Sequence, residues 1–212
     1  MTDMKRHFYI SRLLVLMLLA VTTLSLRAAT PTAADIMDKM RRTVLASPAV
    51  EAQFTIRGGQ GGIQGSATMH GAAFTFATPQ IQVWYDGSTQ WALLESTKEV
   101  SITEPTAEEL ALVNPFAIMQ NYEQSYTMRR LADSNGRSVV QLTPKDKTSA
   151  ILKVVVTADK DGKWPQELVV TFDDGRAIDL YIDRISGRQA PPVSTFRYNA
   201  KLHPAAEVID LR

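Results

Sequence analysis

The chain has 212 residues, 45% of them hydrophobic, and carries 23 Lys and Arg against 22 Asp and Glu for a formal net charge of +1. That balance leaves no basic stripe, so a nucleic-acid partner is not expected. The chain contains no cysteine, which excludes disulfides and N-terminal lipidation of the chain itself, and its stability must come from a packed core.

Residues 1–29 read as a cleaved export signal. Lys5, Arg6, His7 and Arg12 form a basic start, residues 13–26 (LLVLMLLAVTTLSL) an uncharged apolar run, and Ala28 and Ala29 a small-residue end. The run is about 14 residues, short of the roughly 20 that span a bilayer. Cleavage removes four basic side chains against one acid, Asp3, and leaves a charge of about −2. Residues 30–212 then form one domain, soluble and outside the cytoplasm.

An amphipathic helix opens that domain. Thr32 is its N-cap, with Asp35 placed for a capping box. Ala33, Ile36, Met37, Met40 and Val44 fall on one face, and Asp35, Asp38, Lys39, Arg41 and Arg42 on the other. Pro48 ends it. The pattern predicts a helix packed on a sheet.

Strands follow, separated by turn residues. They are predicted near 50–56, 63–70 and 72–78, then as a hairpin over 80–96 around Asp86-Gly87, then near 98–103. After a break come strands near 124–131, 138–143, 150–157, 166–173, 176–183 and 193–198. The fold class is mainly β (α+β): ten or eleven strands in one strongly curved antiparallel sheet or a barrel.

The break, residues 104–122, has helical patterning. Thr106 with Glu109 forms a capping box, and Asn114-Pro115 starts a second short helix. Leu110, Leu112, Val113, Phe116, Ile118 and Met119 make it heavily apolar. It must be buried, most simply on the concave face of the sheet.

No constellation for catalysis stands out, so no enzyme activity and no cofactor are expected. His70 and His203 are the only histidines after the signal, too few for a closed metal site. Gly58, Gly59, Gly61, Gly62 and Gly65 read as a hairpin turn rather than a phosphate loop. Glu108 and Glu109 are adjacent and point apart on a helix. No serine sits in a nucleophile elbow. The aromatic residues Phe54, Phe74, Phe76, Trp84, Trp91 and Phe116 fit either an ordinary core or the lining of a ligand pocket. Composition does not separate the two.

Residues 71–122 resemble outer-membrane lipoprotein carrier proteins, the LolA-like family of the Gram-negative periplasm. The matching parts are Phe74 and Phe76 on an aromatic-x-aromatic strand, Asp86-Gly87, Thr89, Trp91 and Asn114-Pro115-Phe116. The ending adds Phe196, Tyr198, Pro204, Val208 and Asp210. The resemblance implies an unclosed β-barrel with a short helical lid, in a periplasmic carrier expected to be a monomer. Its apolar cavity, lined by Phe54, Ile56, Phe74, Phe76, Val83, Trp91 and Leu93, would hold the acyl chains of lipoproteins. Leu110, Val113, Phe116, Ile118 and Met119 would form the lid. The implied partners are acylated lipoproteins, an inner-membrane lipoprotein release complex and an outer-membrane acceptor. A lipid- or lipoprotein-sensing domain on the same scaffold is the alternative. One departure is visible. Family members often carry a basic residue before the aromatic strand, thought to help hold the lid, whereas this chain has His70-Gly71 there with no Arg or Lys nearby. Either the lid closes through other contacts or the role has drifted.

Overall fold

The computed structural model describes residues 30–58, 62–106, 109–110 and 118–212, with the side chains of 119–121 left aside. The export signal therefore lies outside the described residues. Thr32–Arg212 forms one compact unit.

Helix α1 spans Ala33–Leu45, and its capping box is present. The Asp35 backbone N–H donates to the Thr32 hydroxyl at 3.2 Å, and the Thr32 N–H donates to the Asp35 carboxylate at 2.8 Å. Two of the orphan donors at the helix start are thereby satisfied. Its buried residues are Ala33, Ile36, Met37 and Met40, as the spacing predicts.

Among the described residues, twelve strands form one sheet. They are β1 (Ala49–Arg57), β2 (Gly62–His70), β3 (Ala73–Ala77), β4 (Ile81–Tyr85), β5 (Gln90–Leu94), β6 (Glu99–Thr103), β7 (Tyr126–Arg130), β8 (Val139–Pro144), β9 (Ile151–Ala158), β10 (Pro165–Phe172), β11 (Ala177–Arg188) and β12 (Glu207–Asp210). Their order is β12-β6-β5-β4-β3-β2-β1-β11-β10-β9-β8-β7. The end strands β12 and β7 do not pair, so the curved sheet stays unclosed. Every pairing is antiparallel except β12 with β6. At the Asn135-Gly136 turn both residues have positive φ (50° and 72°), as a tight type I′ turn requires.

Two differences from the sequence reading concern the tail. Residues 193–198 are not a strand: Val193–Phe196 is a 3-10 turn. A strand that the pattern does not announce, β12, forms instead. Its four residues are all exposed, so period-2 burial leaves no trace in them.

The strands bury one continuous face. One half of that core joins α1 to Tyr126, Val140, Leu142, Val154, Val156 and Val170, and helix α2 (Ile118–Ser125) adds Ile118 and Tyr122. The other half lies over β1–β4, β10 and β11.

Candidate functional site

The second half of the core carries four buried aromatic residues, Phe54, Phe74, Phe76 and Tyr85. Phe54, Phe74, Phe76 and Val83 are buried together with Met69, Tyr85, Leu180 and Ile182, and Ile56 packs against them. The Phe54 and Phe76 rings stack at 4.9 Å between centroids, and Phe74 meets Tyr85 at 5.3 Å. Burial raises the pKa of the Tyr85 hydroxyl, with the Asp86 carboxylate adding to the shift. The register accounts for the cluster: Met69 pairs with Phe74, Ala67 with Phe76, Phe76 with Val83 and Phe74 with Tyr85. Five of the seven residues expected to line a cavity thus share the inner face.

The other two do not. The β4–β5 loop has four residues, so Trp84 pairs with Trp91 and Gln82 with Leu93, while Val83 pairs with Ala92. An even-numbered hairpin loop sets odd positions against even ones, and side chains alternate between faces. Trp91 and Leu93 therefore occupy the outer face beside Trp84, with Val100 and Ile102 of β6 opposite them. Grouping them with Phe74 and Phe76 is corrected on that ground.

The outer face around Trp84 is met by residues 196–203, of which the sequence pattern predicts only 193–198 as a strand. Trp84 contacts Tyr198 at 5.5 Å and His203 at 5.4 Å, and the last two stack on each other at 5.5 Å. Arg197 Nε donates to Asp86 Oδ2 at 3.0 Å, tying the tail to the β4–β5 turn. Burial pulls the Asp86 pKa up. Hydrogen bonds from Thr89, Ser88 and Arg197 outweigh it and hold the carboxylate below its ordinary value. The alternation of Phe196 and Tyr198 is visible in the sequence, but nothing in it pairs them with Trp84, one of the aromatic residues that fit either a core or a pocket. His70 also belongs to this face. Its Nδ1 lies 2.6 Å from the Pro48 carbonyl oxygen, and its ring stacks on Phe196 at 6.1 Å. His70 thus fastens the tail and the α1–β1 link.

Of the expected lid residues, Leu110 packs against the Phe54–Phe76 half of the core. Its short helix begins with the predicted capping box, the Thr106 N–H donating to the Glu109 carboxylate at 2.7 Å. Ile118 is buried in the other half, against α1. Val113 and Phe116 lie outside the described residues, as does the side chain of Met119. The connection from β6 to β7 contains all five positions and links strands near opposite edges of the sheet.

A cleft of about 470 Å³ lies at the edge of the sheet beside β2, lined by Gln53, Phe54, Gln64, Gly65, Ser66, Ala77, Thr78, Pro79 and Asp183. It sits at a step in the sheet. Strand β3 ends at Ala77, opposite Ser66. Strand β2 continues along β1 to Gly62. Among the described residues, β2 has no strand partner on its β3 side from Gly62 to Gly65. A bulge in β11 opposite Gln53 and Phe54 skips Asp183 in the pairing. Asp183 Oδ2 accepts from the Thr55 hydroxyl at 2.7 Å.

Among the described residues, no group of three His, Cys, Asp or Glu side chains is placed to hold a metal, and no helix is long and apolar enough to cross a membrane.

The fold is similar to solved structures at low identity. An uncharacterized conserved protein of Thermus thermophilus superposes with a TM-score of 0.55 at 12% identity, over 84% of this chain and 98% of that one. A LolA superfamily protein of Nitrosomonas europaea gives 0.47 at 12% identity, over 80% and 99%. MucB in the MucA/MucB complex of Pseudomonas aeruginosa gives 0.40 at 14%, over 80% and 62%. No curated protein matches the chain. By sequence, residues 21–172 match the profile described as outer membrane lipoprotein carrier protein LolA. The aromatic strands and the β6–β7 connection all fall inside that match, and the chain belongs to the outer membrane lipoprotein carrier protein LolA family.

Proposed function

We propose that the chain is a periplasmic carrier that shields the acyl chains of lipoproteins on the inner face of its sheet. It takes them from an inner-membrane release complex and delivers them to an outer-membrane acceptor. The observation that carries this reading is the buried apolar face of the unclosed sheet around Phe54, Phe74, Phe76 and Val83, with Leu110 of the β6–β7 connection packed against it.

The physics is one of exchange. Each acyl methylene left in water costs about 0.8 kcal/mol, so an acylated protein needs an apolar partner to cross an aqueous space. In the free protein, the ring pairs Phe54–Phe76 and Phe74–Tyr85 satisfy one another. Acyl chains entering between sheet and connection replace those contacts with their own. The exchange is reversible because little net apolar surface is gained or lost, and an acceptor with a deeper groove draws the cargo onward. No covalent step is needed.

A release assay tests this. Inner-membrane vesicles bearing the release complex and a radiolabelled lipoprotein are incubated with the mature chain. Lipoprotein should appear in the supernatant as a soluble complex with the chain. Binding of a detergent-solubilised lipoprotein without any release from vesicles would replace the carrier reading with that of a sensor. No binding in either format would refute both.

A further inference from the structure

The cleft at the step in the sheet has a chemistry unlike that of the inner face. Gln53 and Ser66 are cross-strand partners, as are Thr55 and Gln64, so amides and hydroxyls line its polar side. The β11 bulge brings the Asp183 carboxylate to the same place. Bulges commonly re-aim a side chain beside a functional site. No Arg or Lys lines the cleft, so it disfavours phosphates and carboxylates. Its volume, about 470 Å³, falls within the roughly 300–1,000 Å³ of ligand pockets.

Two features select the ligand. The first is the edge of β2 from Gly62 to Gly65, which has no strand partner on its β3 side among the described residues and offers backbone donors and acceptors to an extended chain. Strand addition at such an edge is a general mode of peptide recognition. A sugar or a lipid headgroup lacks the evenly repeating donors and acceptors that match such an edge. The second is Phe54, which belongs both to the cleft lining and to the apolar cluster. A Cβ at Gly65 would overlap the Phe54 ring, so this ring lies directly against the β2 backbone. A ligand in the cleft therefore sits next to the apolar interior.

We propose that the cleft binds a short extended polypeptide segment with small, uncharged polar side chains, namely the residues that follow the acylated residue of the cargo. The segment adds as a strand on the β2 edge while the acyl chains occupy the inner face. This rests on the carrier reading above for the identity of the cargo, but not for the peptide chemistry.

The mature chain, labelled with nitrogen-15, is titrated with three probes: palmitate, an N-acetylated Ser-Ser-Asn-Ala amide, and the same peptide N-palmitoylated. The acetylated peptide should shift the backbone amides of 62–66 and the side-chain amides of Gln53 and Gln64. The palmitoylated peptide should bind about tenfold more tightly than palmitate, or roughly 1.4 kcal/mol. Replacing Gln53 and Gln64 together by Ala, or N-methylating the peptide backbone, should abolish that tenfold gain and leave palmitate binding unchanged. Both glutamines are exposed, so the double variant keeps the fold, which a thermal melt checks. The proposal is overturned if the acetylated peptide leaves those amides unmoved, if N-methylation makes no difference, or if maltose shifts them and the peptide does not. Palmitate binding without a peptide gain would sink this inference and spare the carrier reading. Peptide binding without palmitate binding would do the reverse.

Discussion

Gly65 sets how closely Phe54 can approach the β2 backbone. A Cβ there would overlap the Phe54 ring and stand 2.7 Å from the Ala77 carbonyl oxygen. The carbonyl belongs to β3 and cannot yield cheaply, so the ring must turn away. Gly65→Ala should therefore break the Phe54–Phe76 stack and cost about 1–3 kcal/mol, in the range of overpacked cores, as read by urea denaturation. Unchanged stability would mean that the ring has room elsewhere. Asp86 makes a second residue-scale case. Its pKa is lowered on folding, and such a carboxylate contributes stability that is complete above its unfolded value and lost as pH falls through its folded one. Melting temperature should thus fall between about pH 5 and pH 2 more steeply in the wild type than in Asp86→Asn. Parallel pH profiles would show that the ionised Asp86 carboxylate, held by Thr89, Ser88 and Arg197, carries no net pH-dependent stability.

At the scale of elements, the connection between β6 and β7 links strands near opposite edges of the sheet, and its Leu110 packs on the apolar cluster of the inner face. Leu110→Ala removes part of the contact that holds it down. The variant should lose about 1–2 kcal/mol, below the 2–5 of a fully buried leucine because Leu110 is half-buried, and should take up a fluorescent palmitoyl probe faster than the wild type in stopped flow. Slower uptake would make Leu110 part of the binding surface instead of the cover. The helix α1 and most strands were legible in the sequence, because apolar spacing and turn dipeptides are local. The facing of the site was not. Val83 and Trp91 both stand in apolar-alternating strands, and only the four-residue loop between them decides that they face opposite ways. The tail was illegible for a related reason: Phe196 and Tyr198 pack on His70 and Trp84 from a 3-10 turn and the residues just after it, and nothing local distinguishes that from a strand.

For the whole molecule, the apolar interior is distributed over two halves of one sheet, and the half bearing Phe54, Phe74 and Phe76 is the one next to the cleft beside β2. The folded mature chain should bind bis-ANS at neutral pH, and a palmitoylated peptide should displace the dye. A chain that binds dye only in mid-transition on a urea curve would have a sealed interior. Within the half that bears Phe54, β1 pairs with β11, Ala49 lying opposite Arg188 and Arg57 opposite Asp179. That seam joins the first strand to the eleventh, so the longest pairing in the molecule spans most of the chain. Pairings of such high sequence separation are slow to form. Any route that delivers the polypeptide N-terminus first, from a ribosome or through a translocation pore, exposes Phe54 and its neighbours well before Leu180 and Ile182 arrive to cover them. Until then this apolar face is open to whatever apolar surface is at hand, and the emerging chain is most exposed to misassembly at that stage.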